Sequence, residues 1–224
     1  MKRTEDFRGG DIYRIISLLR KQVKTLDVPY LEHMASRDHS PFQVLVSCIL
    51  SLRTQDKTTT AASERLFSLA STPPGIAALP VRTIQDAIYP VGFYKVKAKR
   101  IRDISGVIVK KYGGTVPDSI EELLKLKGVG RKTANLVVTT GWNKPGICVD
   151  THVHRITNRW GYVSTKTPEQ TEFALRAGLP KKYWKEINGL LVAFGQGICK
   201  PISPWCSKCV LEGFCIRAGV TRSR

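Results

Sequence analysis

The chain has 224 residues, enough for one large domain or two small domains that each bury a hydrophobic core. Lysine and arginine number 36 against 18 aspartates and glutamates, so the formal net charge is +18. Such a positive surface favours a polyanionic partner, with nucleic acid ahead of an anionic membrane, although solubility alone would also explain it. The most apolar stretch, Phe42 to Leu50, is too short to span a bilayer, which excludes a membrane-spanning protein.

The first ten residues, MKRTEDFRGG, mix acidic and basic side chains and contain no apolar segment. They predict the absence of a signal peptide, and with it a cytoplasmic, chromosome-associated protein. Because that compartment is reducing, we expect the six cysteines not to form structural disulfides.

Apolar residues recur at three- and four-residue spacing along most of the chain, as in Ile12, Ile15 and Leu19. This is the period of an amphipathic helix, so the sequence predicts an all-α protein. Proline and glycine mark the predicted joints, among them STPPGI and GWNKPGI. The predicted helices are roughly Asp11 to Thr25, Pro41 to Leu50, Thr58 to Leu69, Ala78 to Ala87, Lys95 to Tyr112, Ser119 to Leu124, Arg131 to Gly141, Asp150 to Trp160, Pro168 to Ala177 and Tyr183 to Ile198.

The segment PDSIEEL indicates where one of these helices begins. Ser119 is a predicted N-cap, and Glu122 stands three residues later, as in a capping box.

Two glycines punctuate the segment LKGVGRKTAN between two predicted helices. Glycine permits positive φ angles and close backbone approach, and the first amides of the following helix carry partial positive charge. The turn is therefore suited to bind one phosphate of a nucleic-acid backbone. The residues that would make this contact are Gly128, Val129, Gly130 and Arg131. Considered alone, the same glycines favour a plain helix–turn–helix joint, because helix hairpins often use glycine.

Basic residues are concentrated on both sides of this turn, which favours phosphate binding. Those nearest in sequence are Lys125, Lys127, Arg131 and Lys132. The segment FYKVKAKRIR adds Lys95, Lys97, Lys99, Arg100 and Arg102.

A carboxylate, Asp150 in ICVDTHVHR, precedes the next predicted helix. The commonest role of aspartate at this position is that of an N-cap. If the two helices are neighbours, Lys132 and Asp150 would face each other, and an amine beside a carboxylate can be a catalytic pair.

Four cysteines near the C-terminus form the pattern C-x6-C-x2-C-x5-C. Thiolates this close in sequence can converge on one metal centre, either zinc or an iron–sulfur cluster, and the spacing leans towards the cluster. Four unrelated core cysteines are the remaining alternative. The residues are Cys199, Cys206, Cys209 and Cys215.

Taken together, LKGVGRKTAN, VDTHVHR and the cysteine motif, in this order and at these separations, resemble the endonuclease III family of helix–hairpin–helix DNA glycosylases and apurinic/apyrimidinic lyases. The likeness extends from about Ser40 to Cys215. It implies two helical domains with DNA bound in the cleft between them. A six-helix domain with the helix–hairpin–helix would occupy residues 36–144, and residues 1–35 together with 145–224 would form a domain that carries a [4Fe–4S] cluster on the four cysteines.

The resemblance also implies roles for individual residues. Lys132 resembles the catalytic nucleophile and Asp150 the catalytic carboxylate. Related adenine and mismatch glycosylases have another residue type where this chain has Lys132, so the amine implies a lyase as well as a glycosylase. The expected reaction removes oxidised pyrimidines through a lysine Schiff base and cleaves the strand by β-elimination. The expected partner is double-stranded DNA with damaged bases or abasic sites, bound by a monomer, with no membrane partner.

The chain departs from the family pattern at two positions expected to enter the DNA. Arg53 stands where the family usually has a glutamine that fills the space of the extruded nucleotide, and Gln55 follows two residues later. Phe93 stands at the leucine-type wedge position, and Lys200 lies where it could meet a phosphate. Two alternatives remain: a monofunctional mismatch glycosylase and a non-enzymatic helix–hairpin–helix DNA-binding protein.

Overall fold

The computed structural model describes residues 11–26 and 40–224. The first ten residues and the implied domain boundary at residues 35 and 36 lie outside the described residues. The described part of the chain is helical and contains no strand, which confirms the predicted all-α class. It divides into two compact units, residues 40–146 in one and residues 11–26 with 147–224 in the other.

The unit of residues 40–146 is built around a long central helix, α6, on which the shorter helices pack. In chain order its helices are α2 (Pro41–Ser51), α3 (Asp56–Leu69), α4 (Pro73–Ala78), α5 (Val81–Ile88), α6 (Tyr94–Tyr112), α7 (Ile120–Leu124) and α8 (Arg131–Leu136), with a π-helical turn over Val137–Gly141.

Side chains at helical spacing form the core of this unit. Leu45 and Ile49 of α2 are fully buried, as are Ile84 of α5 and Ile108 of α6. Burial of each such aliphatic side chain contributes roughly 1.5–3 kcal/mol to the free energy of folding. The apolar residues whose spacing predicted the helices are therefore also the residues that pack them together.

The other described unit places α1 (Asp11–Val23) against the C-terminal helices. Its core includes the fully buried side chains of Ile15, Trp160 and Phe194, one from each of three helices. The remaining elements are α9 (Thr151–Trp160), α10 (Pro168–Gly178), α11 (Ile187–Gly197) and two short 3-10 turns, Lys181–Tyr183 and Cys206–Lys208.

The structure corrects two predicted element boundaries. The segment STPPGI, interpreted as a joint, begins α4, because the Thr72 hydroxyl accepts from the Gly75 amide and proline is tolerated in the first turn. The last long helix begins at Ile187 and not at Tyr183. Tyr183 ends a 3-10 turn, and the Trp184 indole N–H donates to the Leu179 carbonyl at 2.7 Å.

The predicted N-cap of α7 is confirmed, since the Ser119 hydroxyl accepts from the Glu122 amide. The Glu122 carboxylate, however, does not complete a capping box. It accepts from the Tyr112 hydroxyl at 2.9 Å and pairs with Lys125. Two nearby donors therefore take the side chain away from the Ser119 amide.

We expect Leu45→Ala to lower the free energy of unfolding by about 2–5 kcal/mol, because it leaves a cavity in the core of the 40–146 unit. Leu69 is exposed, so Leu69→Ala should change the free energy of unfolding by less than about 0.5 kcal/mol. Denaturant unfolding followed by circular dichroism measures both. Equal losses in the two variants would contradict the assigned core.

Candidate functional site

The turn between α7 and α8 is fixed by one buried side chain and one glycine. Val129 is buried in the core of its unit, and its amide donates to the Leu126 carbonyl at 3.0 Å. Gly128 has a φ of +88°. A Cβ at Gly128 would lie 2.6 Å from Nε of Arg100, which packs over the turn. The turn therefore needs glycine at this position for its φ angle, whereas the flexible end of the Arg100 side chain could move aside for a Cβ.

Gly130 directly precedes α8 and occupies its N-cap position. It offers no side chain to cap the helix, and a Cβ there would meet nothing within 4 Å. The exposed backbone of Gly130 thus leads into a helix N-terminus whose amides carry partial positive charge. Such a terminus suits a phosphate or other anion.

Lys132 is the second residue of α8 and is exposed. The partly buried thiol of Cys48, on α2, lies close enough to Lys132 for the lysine charge to influence the pKa of the thiol. Burial raises the pKa of Cys48 to about 12, and the Lys132 charge offsets only part of that rise. Lys132 is exposed whereas Cys48 is only partly exposed, so the amine is the candidate nucleophile at this place.

Asp150, in the other unit, is the N-cap of α9. Its Oδ1 accepts from the amides of His152 at 2.8 Å and Val153 at 2.9 Å. The N-cap interpretation of this residue is therefore confirmed. The two amides hold the carboxylate in one orientation, which a catalytic group also requires.

The structure brings Arg53 and Phe93 together on one side of the 40–146 unit. Both are exposed, both have positive φ angles, and the Arg53 guanidinium lies 5.8 Å from the centre of the Phe93 ring. Gln55 is exposed at the N-cap of α3, where its carbonyl accepts from Thr59.

Three basic residues of the segment FYKVKAKRIR contact the protein with their charged groups or side chains, although Arg102 remains exposed. Lys97 is only 4% exposed and donates into the protein interior. Arg102 donates to the Ala77 carbonyl at 3.3 Å, and Arg100 covers Gly128. Lys97 is therefore removed from the positive surface, because helical spacing turns it inward, whereas Lys95, Lys99 and Arg102 remain exposed.

The four C-terminal cysteines line one pocket, together with aromatic and aliphatic side chains such as Trp160 and Phe194. All four are free thiols. The Leu211 amide donates to Sγ of Cys209 and the Arg217 amide to Sγ of Cys215, each at 3.4 Å. Hydrogen bonds of this kind stabilise thiolate ligands and tune the potential of a bound cluster.

The pocket brings together four thiols, which are ligands of both zinc and iron–sulfur clusters. Among the described residues, no three His, Cys, Asp or Glu side chains converge closely enough to hold one metal ion. Burial raises the pKa of Cys209 to about 12, and coordination to a metal would deprotonate it.

Two arginines of α9 hold the loop that contains Cys199 and Lys200. Arg159 donates to the Lys200 and Pro201 carbonyls, both at 2.7 Å, and Arg155 donates to the Cys199 carbonyl at 2.7 Å. Lys200 itself is exposed. The sequence analysis missed these arginines, although their i, i+4 spacing indicated that both lie on one helix face.

Comparison with known proteins decides the family. The family described as HhH-GPD superfamily base excision DNA repair protein matches residues 46–181, more than half of the chain. A Thermotoga maritima protein named Endonuclease III is 52% identical over 179 residues, which are 80% of this chain and 84% of that protein. The chain belongs to the endonuclease III family. Members of the endonuclease III family carry a [4Fe–4S] cluster.

Two solved structures are similar to this chain. One is a non-covalent Endonuclease III–DNA complex, with a TM-score of 0.80, 32% identity and coverage of 92% of this chain and 94% of that one. The other is a trapped Endonuclease III–DNA covalent intermediate, with a TM-score of 0.77, 31% identity and coverage of 92% and 95%.

No helix in the described part of the chain is both long and apolar enough to cross a bilayer.

We expect Gly128→Ala to lower the free energy of unfolding by about 1–3 kcal/mol, because alanine is strained at a φ of +88°. Gly130→Ala is the matched control, with an ordinary φ and open space, and should cost only about 0.5 kcal/mol. Thermal unfolding compares the two. A larger loss at Gly130 than at Gly128 would refute the assigned turn geometry.

Cys206→Ser should deplete the purified protein of iron and of the visible absorbance of an iron–sulfur cluster. Cys48→Ser, which changes a thiol outside the pocket, should retain both. Iron analysis and absorption spectra provide the measurement. Stoichiometric zinc in the colourless wild-type protein would contradict the cluster.

Proposed function

We propose that Lys132 is the nucleophile with which this chain removes damaged pyrimidines from double-stranded DNA. The chain is a bifunctional DNA glycosylase and apurinic/apyrimidinic lyase of base excision repair, the activity that its family and its DNA-bound structural relatives support. An enzyme is therefore favoured over a non-enzymatic DNA-binding protein.

The position of Lys132 is the observation that carries the proposal. It is exposed at the second residue of α8, immediately after the glycine turn. A phosphate bound at that turn would place the neighbouring sugar within reach of the amine. A related endonuclease III has been trapped as a covalent intermediate with DNA, and such an intermediate requires a nucleophile of this kind.

The proposed reaction begins when the damaged nucleotide leaves the base stack, at a cost of a few kcal/mol that the lesion lowers. The Lys132 nitrogen attacks C1′ of the deoxyribose, and the bond from C1′ to the base breaks with its electron pair on the base. Loss of a proton and ring opening then give the Schiff base. Removal of a C2′ proton expels the 3′ phosphate by β-elimination, and water releases the lysine.

We assign to Asp150 the transfer of protons in this reaction. A lysine side chain is ordinarily protonated at neutral pH, so attack requires a base that accepts its proton. The carboxylate would also stabilise positive charge on the sugar as the base departs. Its two amide contacts keep its orientation constant while it does so.

The DNA contacts divide into two kinds in this proposal. Gly128, Val129, Gly130 and Arg131 would hold a backbone phosphate, and Lys200 would contact another. Arg53 and Phe93 would enter the helix where the nucleotide has left, with Gln55 beside them.

We further propose that the four pocket cysteines, Cys199, Cys206, Cys209 and Cys215, bind the [4Fe–4S] cluster. When bound, the cluster would supply structural cross-linking of the C-terminal segment and no chemistry on the sugar. The amide donors to Cys209 and Cys215 support this assignment. We also propose that the protein works as a monomer in the cytoplasm, on the chromosome.

Lys132→Ala should abolish the adduct that borohydride traps on DNA with an abasic site, because no other amine replaces it at C1′. Binding to the same DNA should change by less than about threefold, as the backbone contacts remain. Lys110→Ala, an exposed lysine near the end of α6, is the control and should keep the adduct. A trapped adduct in Lys132→Ala would overturn the assignment.

Asp150→Asn should slow single-turnover base release by about 10²–10⁴-fold, while the melting temperature stays close to that of the wild type. Asparagine keeps the N-cap acceptor but cannot take a proton. Asp150→Ala should lose about 1 kcal/mol of stability as well as activity. Full activity in Asp150→Asn would reduce this residue to a helix cap.

A further inference from the structure

A lysine is buried beneath the loop that carries Arg53. Lys97 of α6 is 4% exposed, and its side chain reaches the end of α2. Its Nζ donates to three acceptors, the Leu50 carbonyl at 2.8 Å, the Leu52 carbonyl at 2.5 Å and the Thr54 hydroxyl at 3.2 Å. Leu52 and Thr54 flank Arg53, so one amine contacts the backbone before it and a side chain directly after it.

The loop that carries Phe93 is held by a second cation. Arg65 of α3 donates to the Ala87 carbonyl at 2.8 Å and to the Tyr89 carbonyl at 2.5 Å. These carbonyls belong to the C-terminal end of α5, just before the Phe93 loop. Cations are favoured at helix C-termini because the unpaired carbonyls carry partial negative charge.

The two loops are also joined directly to each other. The Gly92 amide donates to the Thr54 hydroxyl at 3.2 Å, and Thr54 in turn contacts Lys97. A Cβ at Gly92 would lie 2.7 Å from the Arg53 carbonyl oxygen. The backbones are therefore as close as they can be, and only glycine permits this approach.

Burial of the Lys97 amine is costly for the protein. It lowers the pKa of Lys97 to about 8. The groups that face the amine are backbone carbonyls and one hydroxyl, and no acidic side chain in the described part of the chain forms an ion pair with it. A buried charge without a carboxylate partner is a weak source of stability. The amine instead donates three hydrogen bonds at the end of α2 and in the loop that follows it.

We propose that Lys97 is a positioning residue that locks the Arg53 loop (Leu52–Gln55) and the Phe93 loop (Tyr89–Phe93) into a single rigid wedge for insertion into DNA. The inference rests on the proposed insertion of Arg53 and Phe93. Both carry positive φ angles, so neither loop is in a relaxed conformation that it would hold unaided. A wedge that is ordered before it meets DNA loses less conformational entropy on insertion.

The first test is Lys97→Met, which keeps the length of the side chain and removes its donors. The probe is a duplex with thymine glycol and 2-aminopurine opposite it, whose fluorescence rises when the opposite base is unstacked. We expect the variant to lose more than about half of this rise and to release the damaged base roughly 10–100-fold more slowly in a single turnover.

Two further measurements separate positioning from general destabilisation. Borohydride trapping on single-stranded DNA with an abasic site needs no base pair to be opened, and it should stay within about twofold of wild type. Binding to undamaged duplex should stay within about threefold, since phosphate contacts dominate it. Lys110→Met, the same change at an exposed position of the same helix, should match wild type in all assays.

Gly92→Ala provides a second route to the same defect without changing Lys97. Its methyl group would press on the Arg53 carbonyl and separate the two loops. We expect the same loss of fluorescence and slower base release, again with trapping on single-stranded DNA retained. This variant keeps the test decisive if Lys97→Met fails to fold.

Arg53→Ala and Phe93→Ala show whether insertion itself occurs as proposed. If these two variants lose the fluorescence rise while Lys97→Met and Gly92→Ala retain it, the positioning role is wrong. If Arg53→Ala and Phe93→Ala retain the full rise, the proposed insertion is wrong instead. If Lys97→Met loses insertion, trapping and thermal stability in equal proportion, Lys97 is a general stabilising residue and the inference is overturned.

Discussion

The burial of Val129 between two exposed glycines is the constraint on which the candidate site depends. Val129 anchors the turn in the hydrophobic core, and the positive φ of Gly128 lets the chain reverse directly beside it. The first residues of α8 therefore begin at the surface, with Lys132 exposed one residue into the helix. Phosphate binding and nucleophile placement are consequences of one turn, because the backbone that would hold the phosphate also sets the reach of the amine.

Helix termini supply most of the other proposed functional positions. Asp150 satisfies two amides at the start of α9, whereas Lys97 and Arg65 satisfy carbonyls at the ends of α2 and α5. Each contact completes a helix and at the same time orients a group proposed to meet DNA. Arg159 orients the loop between Cys199 and Cys206 in a similar way, because its guanidinium donates to the Lys200 and Pro201 carbonyls. The fold thus uses the unpaired backbone groups that every helix leaves at its ends.

The sequence predicted the features that depend on local pattern. Hydrophobic period identified most of the helices, and the turn glycines and cysteine spacing identified the hairpin and the pocket. It did not predict that Lys97 is buried, since a lysine in a basic segment looks like a surface residue until α6 is packed against α2. The sequence also did not predict that the Glu122 carboxylate binds the Tyr112 hydroxyl, because ten residues separate the pair along the chain. Tertiary packing determines both the burial of Lys97 and the Glu122 contact, and neither can be predicted from a local sequence pattern.

The assignment of Lys132 as the nucleophile can be tested by identifying the residue that forms the Schiff base. Wild-type protein would be trapped with borohydride on DNA containing an abasic site, digested with protease and nuclease, and mapped by tandem mass spectrometry. We expect the sugar remnant to be attached to Lys132 and to no neighbouring amine, including Lys125 and Lys127. An adduct at any other amine, or base release with no adduct at all, would contradict it.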